Sequence, residues 1–213
     1  MIKNLFNVLK KDPYALTGVL IYLFFIIIAI FADLIAPNDP LRILFNSSGL
    51  ARNIDPGREF LLGTTSNGRD IFSQLVHGSR NALYVGLTAA LAVAILGTIV
   101  GLISGYFGGW VDNLIMRLAD IALGIPFLPF VIVLAAFLGP SSWNVVIAIS
   151  ILLWPNSGRV IRSQVLSLRE RAYIESAKVS GCSNLRIIFV HIGPNILPLS
   201  FLYGSIAIGW AIL

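Results

Sequence analysis

The chain has 213 residues, of which 57% are hydrophobic and 12% charged, and its mean hydropathy is +0.87. A water-soluble domain carries roughly 25% charged residues, so this chain cannot cover a soluble surface, and its single Cys excludes an internal disulfide framework. The formal net charge of +5 lies in loops between apolar runs, the distribution that membrane topology requires, and the reading is a membrane protein that binds lipid and no nucleic acid.

A helix needs about 20 mostly apolar residues to cross the hydrocarbon core. Residues 1–15 carry Lys3, Lys10 and Lys11 and read as a cytoplasmic N-terminus. Residues 16–36 form the first span. Its apolar run exceeds a signal-peptide core and no small-x-small cleavage site follows, so it reads as an uncleaved anchor. Residues 37–81 form an extracytoplasmic loop. Within it, Ile71, Phe72, Leu75 and Val76 share one helical face, which predicts a helix on the outer membrane–water boundary.

The second span, residues 82–105, carries no charge, and its Gly97, Gly101 and Gly105 form a ladder of small residues that admits a close neighbour, from this chain or from a partner. The third span, residues 114–138, contains Arg117 and Asp120, three apart and therefore facing one another on a helix. Near the cytoplasmic end they read as a structural intramembrane pair rather than a substrate contact. Pro126 and Pro129 each remove a backbone hydrogen bond from this span; such a break either lines a translocation pathway or is a packing kink. The apolar stretch 143–155 is short and spans only by borrowing flanking residues, whereas 192–213 is uncharged throughout. The fold class is therefore all-α, a polytopic bundle with five visible spans and residues 82–213 as its core.

With the N-terminus inside, the inner segments hold nine basic residues (Lys3, Lys10, Lys11, Arg159, Arg162, Arg169, Arg171, Lys178 and Arg186) against five in the outer loop, which favours that orientation. The inner loop 159–191 carries Val160, Ile161, Val165, Leu166 and Leu168 at helical spacing, then a second helical stretch over 173–179 that stops at Gly181, a residue type that closes helices in the left-handed conformation. A short helix lying across the membrane face follows from this pattern. On periodicity alone it is either a basic interfacial loop held by anionic headgroups or a rigid knob through which a soluble motor moves a membrane subunit.

Glu175-Ser176-Ala177, three residues, Gly181, nine residues and His191-Ile192-Gly193-Pro194, followed by Asn195, resembles the EAA loop of permease subunits of binding-protein-dependent ABC importers. That family's pattern is Glu-Ala-Ala, three residues, Gly, nine residues, Ile-x-Leu-Pro. Ser176 stands for the middle Ala, Gly193 for the Leu, and His191 for the Ile, as in the dipeptide, oligopeptide and nickel branch with its C-type permeases. The resemblance covers almost the whole chain, through the runs at 62–70, 78–81, 85–86, 105–112 and 116–120.

This resemblance implies a type I ABC importer permease fold and a bacterial inner-membrane, multi-pass protein. It also implies a pathway for peptides, nickel or related small solutes. The implied partners are a second permease subunit, two cytoplasmic ATPase subunits and an extracytoplasmic substrate-binding protein. ATP is then used by the partners, and this chain is no enzyme and binds no cofactor. The coupling residues would be Glu175, Ser176, Ala177, Gly181, Pro194 and Asn195. The family has six spans, so the sixth is expected to be missing and the sequence to be a fragment or truncated product. The alternatives are a non-ABC channel, which needs a filter-like loop or a ring of charges, and an intramembrane enzyme, which needs His-Glu-x-x-His, paired aspartates or a Gly-x-Ser-x-Gly elbow. None of these occurs, and His77 and His191 lie too far apart in topology to share a metal.

Overall fold

The computed structural model describes residues 12–46, 49–139 and 141–212; Lys3, Lys10, Lys11 and Leu213, used above, lie outside them. The chain divides into two compact units, residues 1–84 and 85–213.

In the first unit, α1 (Pro13–Ile30) starts where Asp12 accepts hydrogen bonds from the amides of Tyr14, at 3.0 Å, and Ala15, at 3.3 Å. Proline at its first position has no amide to waste there. Only Ala29 of this helix is buried. An 18-residue helix that is apolar on every side is stable only in hydrocarbon, and it is about 27 Å long, close to the ~30 Å core. The anchor expected over 16–36 therefore begins at Pro13, breaks at Phe31 and ends in a single turn, Ala32–Ile35. Beyond it, β1 (Phe45–Asn46) and β2 (Gly49–Leu50) form a two-residue antiparallel ladder.

Two buried polar side chains hold the rest of this loop. The Thr64 hydroxyl donates to the Ala51 carbonyl at 2.6 Å and accepts from the Ile54 amide at 3.0 Å. Asp70, 1% exposed, accepts from the amides of Phe72 and Ser73 and from the Asn38 amide side chain. Asp70 thereby caps α2 (Ile71–Phe107).

Helix α2 has 37 residues and runs without a break through the stretch read as a separate boundary helix. Gly78 by itself costs only about 1 kcal/mol in a helix, too little to stop one with apolar residues on both sides. The helix is about 55 Å long, nearly twice the hydrocarbon thickness.

In the second unit, α3 (Gly109–Gly124), α4 (Phe127–Leu138) and α7 (Gly193–Ile212) all pack on α5 (Ser142–Arg169). The third span expected over 114–138 is an elbow: α3 and α4 meet at 88°. Pro126 is the residue before α4, in extended backbone. Pro129 falls within the first turn of α4, where the missing amide would have had no intrahelical acceptor, so Pro126 marks the break and Pro129 does not.

The stretch 143–155 is the first half of α5, which continues for 28 residues through the buried Pro155 to Arg169. The residues 159–169 are thus the end of a span helix and not a helix across the membrane face. Among the described residues, four helices are long and apolar enough to cross a membrane, and the α3–α4 pair makes five if counted as one broken span.

The glycine ladder meets α5 of the same chain. A Cβ at Gly97 would lie 2.9 Å from the Ser157 Cβ, one at Gly101 2.6 Å from the Ile161 Cγ2, and one at Gly105 2.7 Å from the Val165 Cβ. Both sets step by four residues in the same direction, so α2 and α5 run parallel with their backbones close. On the adjoining flank of α2, the Thr98 hydroxyl donates to the Ser200 hydroxyl of α7 at 2.7 Å.

Candidate functional site

Between α5 and α7 lies α6 (Ala172–Val179), the helix predicted over 173–179. Eight residues are too few for a helix to persist alone in water, so its stability comes from its ends and one buried face. At its start, Arg171 is extended, and its carbonyl accepts the amides of Ile174, at 2.9 Å, and Glu175, at 3.3 Å. Glu175 in the first turn and Lys178 in the last both complement the helix dipole.

At its end, Gly181 has φ +79°. The Cys182 amide donates to the Ala177 carbonyl at 3.0 Å and the Gly181 amide to the Lys178 carbonyl at 3.0 Å, the two-bond Schellman closure that a left-handed residue makes possible. Cys182 completes it by packing on the cluster that contains Ala177.

One face of α6 is inward. Ile174 is 0% and Ala177 9% exposed, within a cluster that includes Leu102 of α2, Ile161 and Val165 of α5, and Ile187, Ile188, Ile192 and Ile196. The other face, with Tyr173, Glu175, Ser176 and Val179, is exposed, Val179 at 89%. The motif residues therefore separate: Glu175 and Ser176 point outward, Ala177 holds the helix down, and Gly181 closes it. Tyr106, at the end of α2, donates its hydroxyl to the Asn184 Oδ1 at 2.8 Å, and the Lys178 ammonium lies 6.0 Å from its ring centre.

Pro194 and Asn195 sit one element further on. After the turn Asn184–Arg186, capped by Ser183, the residues Ile187–Ile192 form a π-helix that runs into α7. The Gly193 amide donates to the Ile188 carbonyl, five residues back. Pro194 in the next position has no amide to extend an α-helical ladder, which accounts for the wider turn just before it. A Cβ at Gly193 would lie 3.1 Å from that same carbonyl, so the small residue that departs from the family pattern fits the local geometry. Asn195 donates its side-chain amide to the His191 carbonyl at 2.8 Å.

Three arginines of α5 fasten neighbouring elements. Arg162 makes a bidentate pair with Asp112 of α3, partly buried, and Arg159 pairs with Asp120 of α3. The Arg169 guanidinium donates to the Gly105 carbonyl at 3.2 Å. The pair expected between Arg117 and Asp120 is loose, at 3.8 Å, and the short partner of Asp120 is Arg159. The Asp112–Arg162 and Tyr106–Asn184 contacts join residues 50 and 78 apart in sequence. Nothing in one sequence marks such pairs, except that Asp112 is an acid in an otherwise apolar stretch. Among the described residues no group of three or more His, Cys, Asp or Glu is placed to hold a metal ion.

Residues 97–213 match the family described as binding-protein-dependent transport system inner membrane component, and residues 2–56 match the N-terminal transmembrane domain of oligopeptide transport permease C. The chain is 43% identical over 211 residues to the dipeptide transport system permease of Alkalihalophilus pseudofirmus, covering 99% of this chain and 68% of that protein. It is 32% identical over 187 residues to the corresponding permease of Bacillus subtilis, with 88% of this chain and 57% of that one covered. It is 35% identical over 204 residues to a glutathione transport system permease of Escherichia coli, with 96% and 66% covered. The chain thus spans between about half and two thirds of the length of these proteins. The chain belongs to the binding-protein-dependent transport system inner membrane components, as a C-type permease of the dipeptide and oligopeptide branch.

Proposed function

We propose that this chain forms, with a second permease subunit, the pathway through which an ABC importer moves short peptides, and that α6 is where a soluble ATPase grips it. The ATPases hydrolyse ATP, and an extracytoplasmic binding protein delivers the peptide. The chain itself supplies no catalytic group. Peptides are the cargo favoured because relatives are named for dipeptide and glutathione transport. The excess of basic residues at 1–15 and 159–191 over the outer loop supports a cytoplasmic α6 and N-terminus.

The observation that carries the reading is the division of α6 into two faces. Ile174 and Ala177 fix it to the cores of α5 and α7, while Glu175, Ser176 and Val179 stand outward. A displacement applied to the outer face is then delivered to span helices instead of being absorbed in a floppy loop. A pathway opened alternately to each side requires that the two states differ in the contacts the motor makes, and a helix seated this way gives such contacts a rigid base.

The test is a Ser176→Cys variant in a Cys182→Ser background, in membranes that contain the whole importer. The new thiol should crosslink to an ATPase subunit and resist membrane-impermeant reagents added from outside. Modification from outside, or no crosslink to an ATPase under conditions where the importer is active, would overturn the reading.

A further inference from the structure

We infer that Asp112 and Arg162 are positioning residues for energy coupling: their bidentate pair makes the α3–α4 elbow move with the helix that α6 pushes. The inference rests on the docking role of α6 and says what lies downstream of it.

Arg162 lies on α5 next to Ile161 and three residues before Val165, and these two apolar side chains seat Ile174 and Ala177 of α6. A push on α6 therefore reaches α5 at the level of Arg162. From there the guanidinium crosses to Asp112 of α3 through two parallel hydrogen bonds, Nε to one carboxylate oxygen and Nη2 to the other. Two bonds from a planar fork fix orientation as well as distance, so the link transmits rotation that a single ion contact would lose.

The pair is sheltered, with side chains 30% and 11% exposed, and salt and water weaken it less than a surface pair. Asp112 is in the first turn of α3, preceded by Gly108 and Gly109 at φ +65° and +55°. Those two left-handed residues form the turn out of α2, and α3 has no side-chain cap at its start. The start of α3 is therefore held to the bundle by the Arg162 fork, and its far end leads through Ile125 and Pro126 into the 88° bend. Arg159–Asp120 and the packing of α3 on α5 still join the two helices further along, so losing the fork frees the start of α3 and loosens the elbow's coupling to α5 without cutting it.

The experiment uses the assembled importer in proteoliposomes, with peptide uptake and ATP hydrolysis measured in the same sample. Asp112→Asn and Arg162→Gln should lower peptide moved per ATP by about 2- to 30-fold, the range found when one link of a coupling network is cut. The Ser176→Cys crosslink to the ATPase should keep its yield in both. The exchanged pair, Asp112→Arg with Arg162→Asp, should recover part of the loss. If the single variants do not accumulate in the membrane, Arg162→Lys reads the same quantity, since lysine keeps the charge and loses the fork; it should lower transport per ATP at unchanged protein level.

An unchanged ratio in Arg162→Lys, or activity that falls only in step with the amount of protein, would overturn the inference. Failure of the Ser176→Cys crosslink in the otherwise unaltered chain would instead remove the docking reading on which it rests.

Discussion

Gly181 offers a perturbation whose size follows from geometry alone. Its φ is +79°, and an added Cβ would have no heavy atom within 4 Å. A substitution there meets no clash, so its cost is the left-handed backbone itself, about 1–2 kcal/mol for an ordinary L-residue. Asn adopts this conformation more readily than Ala, and a β-branched residue resists it most. The series Gly181→Asn, Gly181→Ala, Gly181→Val should then lose function in that order, although Asn is larger than Ala.

The strained variants relieve the cost by opening the turn, which breaks the Cys182–Ala177 and Gly181–Lys178 hydrogen bonds and frees the end of α6. A penalty of about 1–2 kcal/mol shifts the seated-to-released ratio of the helix about 5- to 30-fold. The assay is peptide uptake at matched membrane levels, together with the yield of the Ser176→Cys crosslink. Uptake in Gly181→Val equal to that of the native chain would refute the argument, as would Ala outperforming Asn, which would mean that space and not backbone conformation is limiting.

Gly101→Ala should destabilise the α2–α5 contact by about 1–3 kcal/mol, because its Cβ falls 2.6 Å from Ile161 and 2.9 Å from the Gly158 carbonyl; the thermal aggregation midpoint of the detergent-solubilised protein should fall, and no fall would sink the packing account. Gly124→Ala, with open space around it, is the matched control and should change little. Tyr106→Phe deletes the hydroxyl bonded to Asn184, worth about 0.5–1.5 kcal/mol, and should speed proteolytic cleavage within residues 180–186 while leaving the spans intact. Gly193→Ala brings a methyl to 3.1 Å from the Ile188 carbonyl and should reduce uptake by disturbing the π-turn; full uptake would show that the turn gives way without consequence.

What could be read in the sequence is what repeats at short range. The helix at 173–179, its closure at Gly181 and the small-residue ladder depend on residues within one or two turns of each other, and the structure has all three. What could not be read depends on partners far along the chain. Arg117 and Asp120 are visible as neighbours three apart, but Arg159, 39 residues away from Asp120, takes the carboxylate. Gly97, Gly101 and Gly105 announce a close approach without naming Ser157, Ile161 and Val165.

Hydropathy misled in two places for one reason: it reports the solvent of a segment and not its backbone. Residues 71–81 and 159–169 turn polar, yet α2 and α5 pass through them unbroken. Charged side chains end a membrane span without ending a helix. Conversely, the apolar run 114–138 is broken at Pro126 with no change of hydropathy at all.

The two faces of α6 impose different demands, and this explains why the motif contains a buried residue beside exposed ones. A helix of eight residues is held by its seat, so Ile174 and Ala177 must match the cavity between α5, α2 and the π-turn. Ala177 is 9% exposed within the cluster of Leu102, Ile161, Val165, Ile187, Ile188, Ile192 and Ile196; a larger residue in that packed seat strains the helix against it. The outward residues contribute little to that stability and are free to match another protein. Glu175 is exposed and sits in the first turn, where its charge favours the helix. On the proposed docking role, the spacing Glu-x-Ala-x3-Gly would set a lever in mechanical order: a surface to be gripped, a foot to stand on, and a closed end.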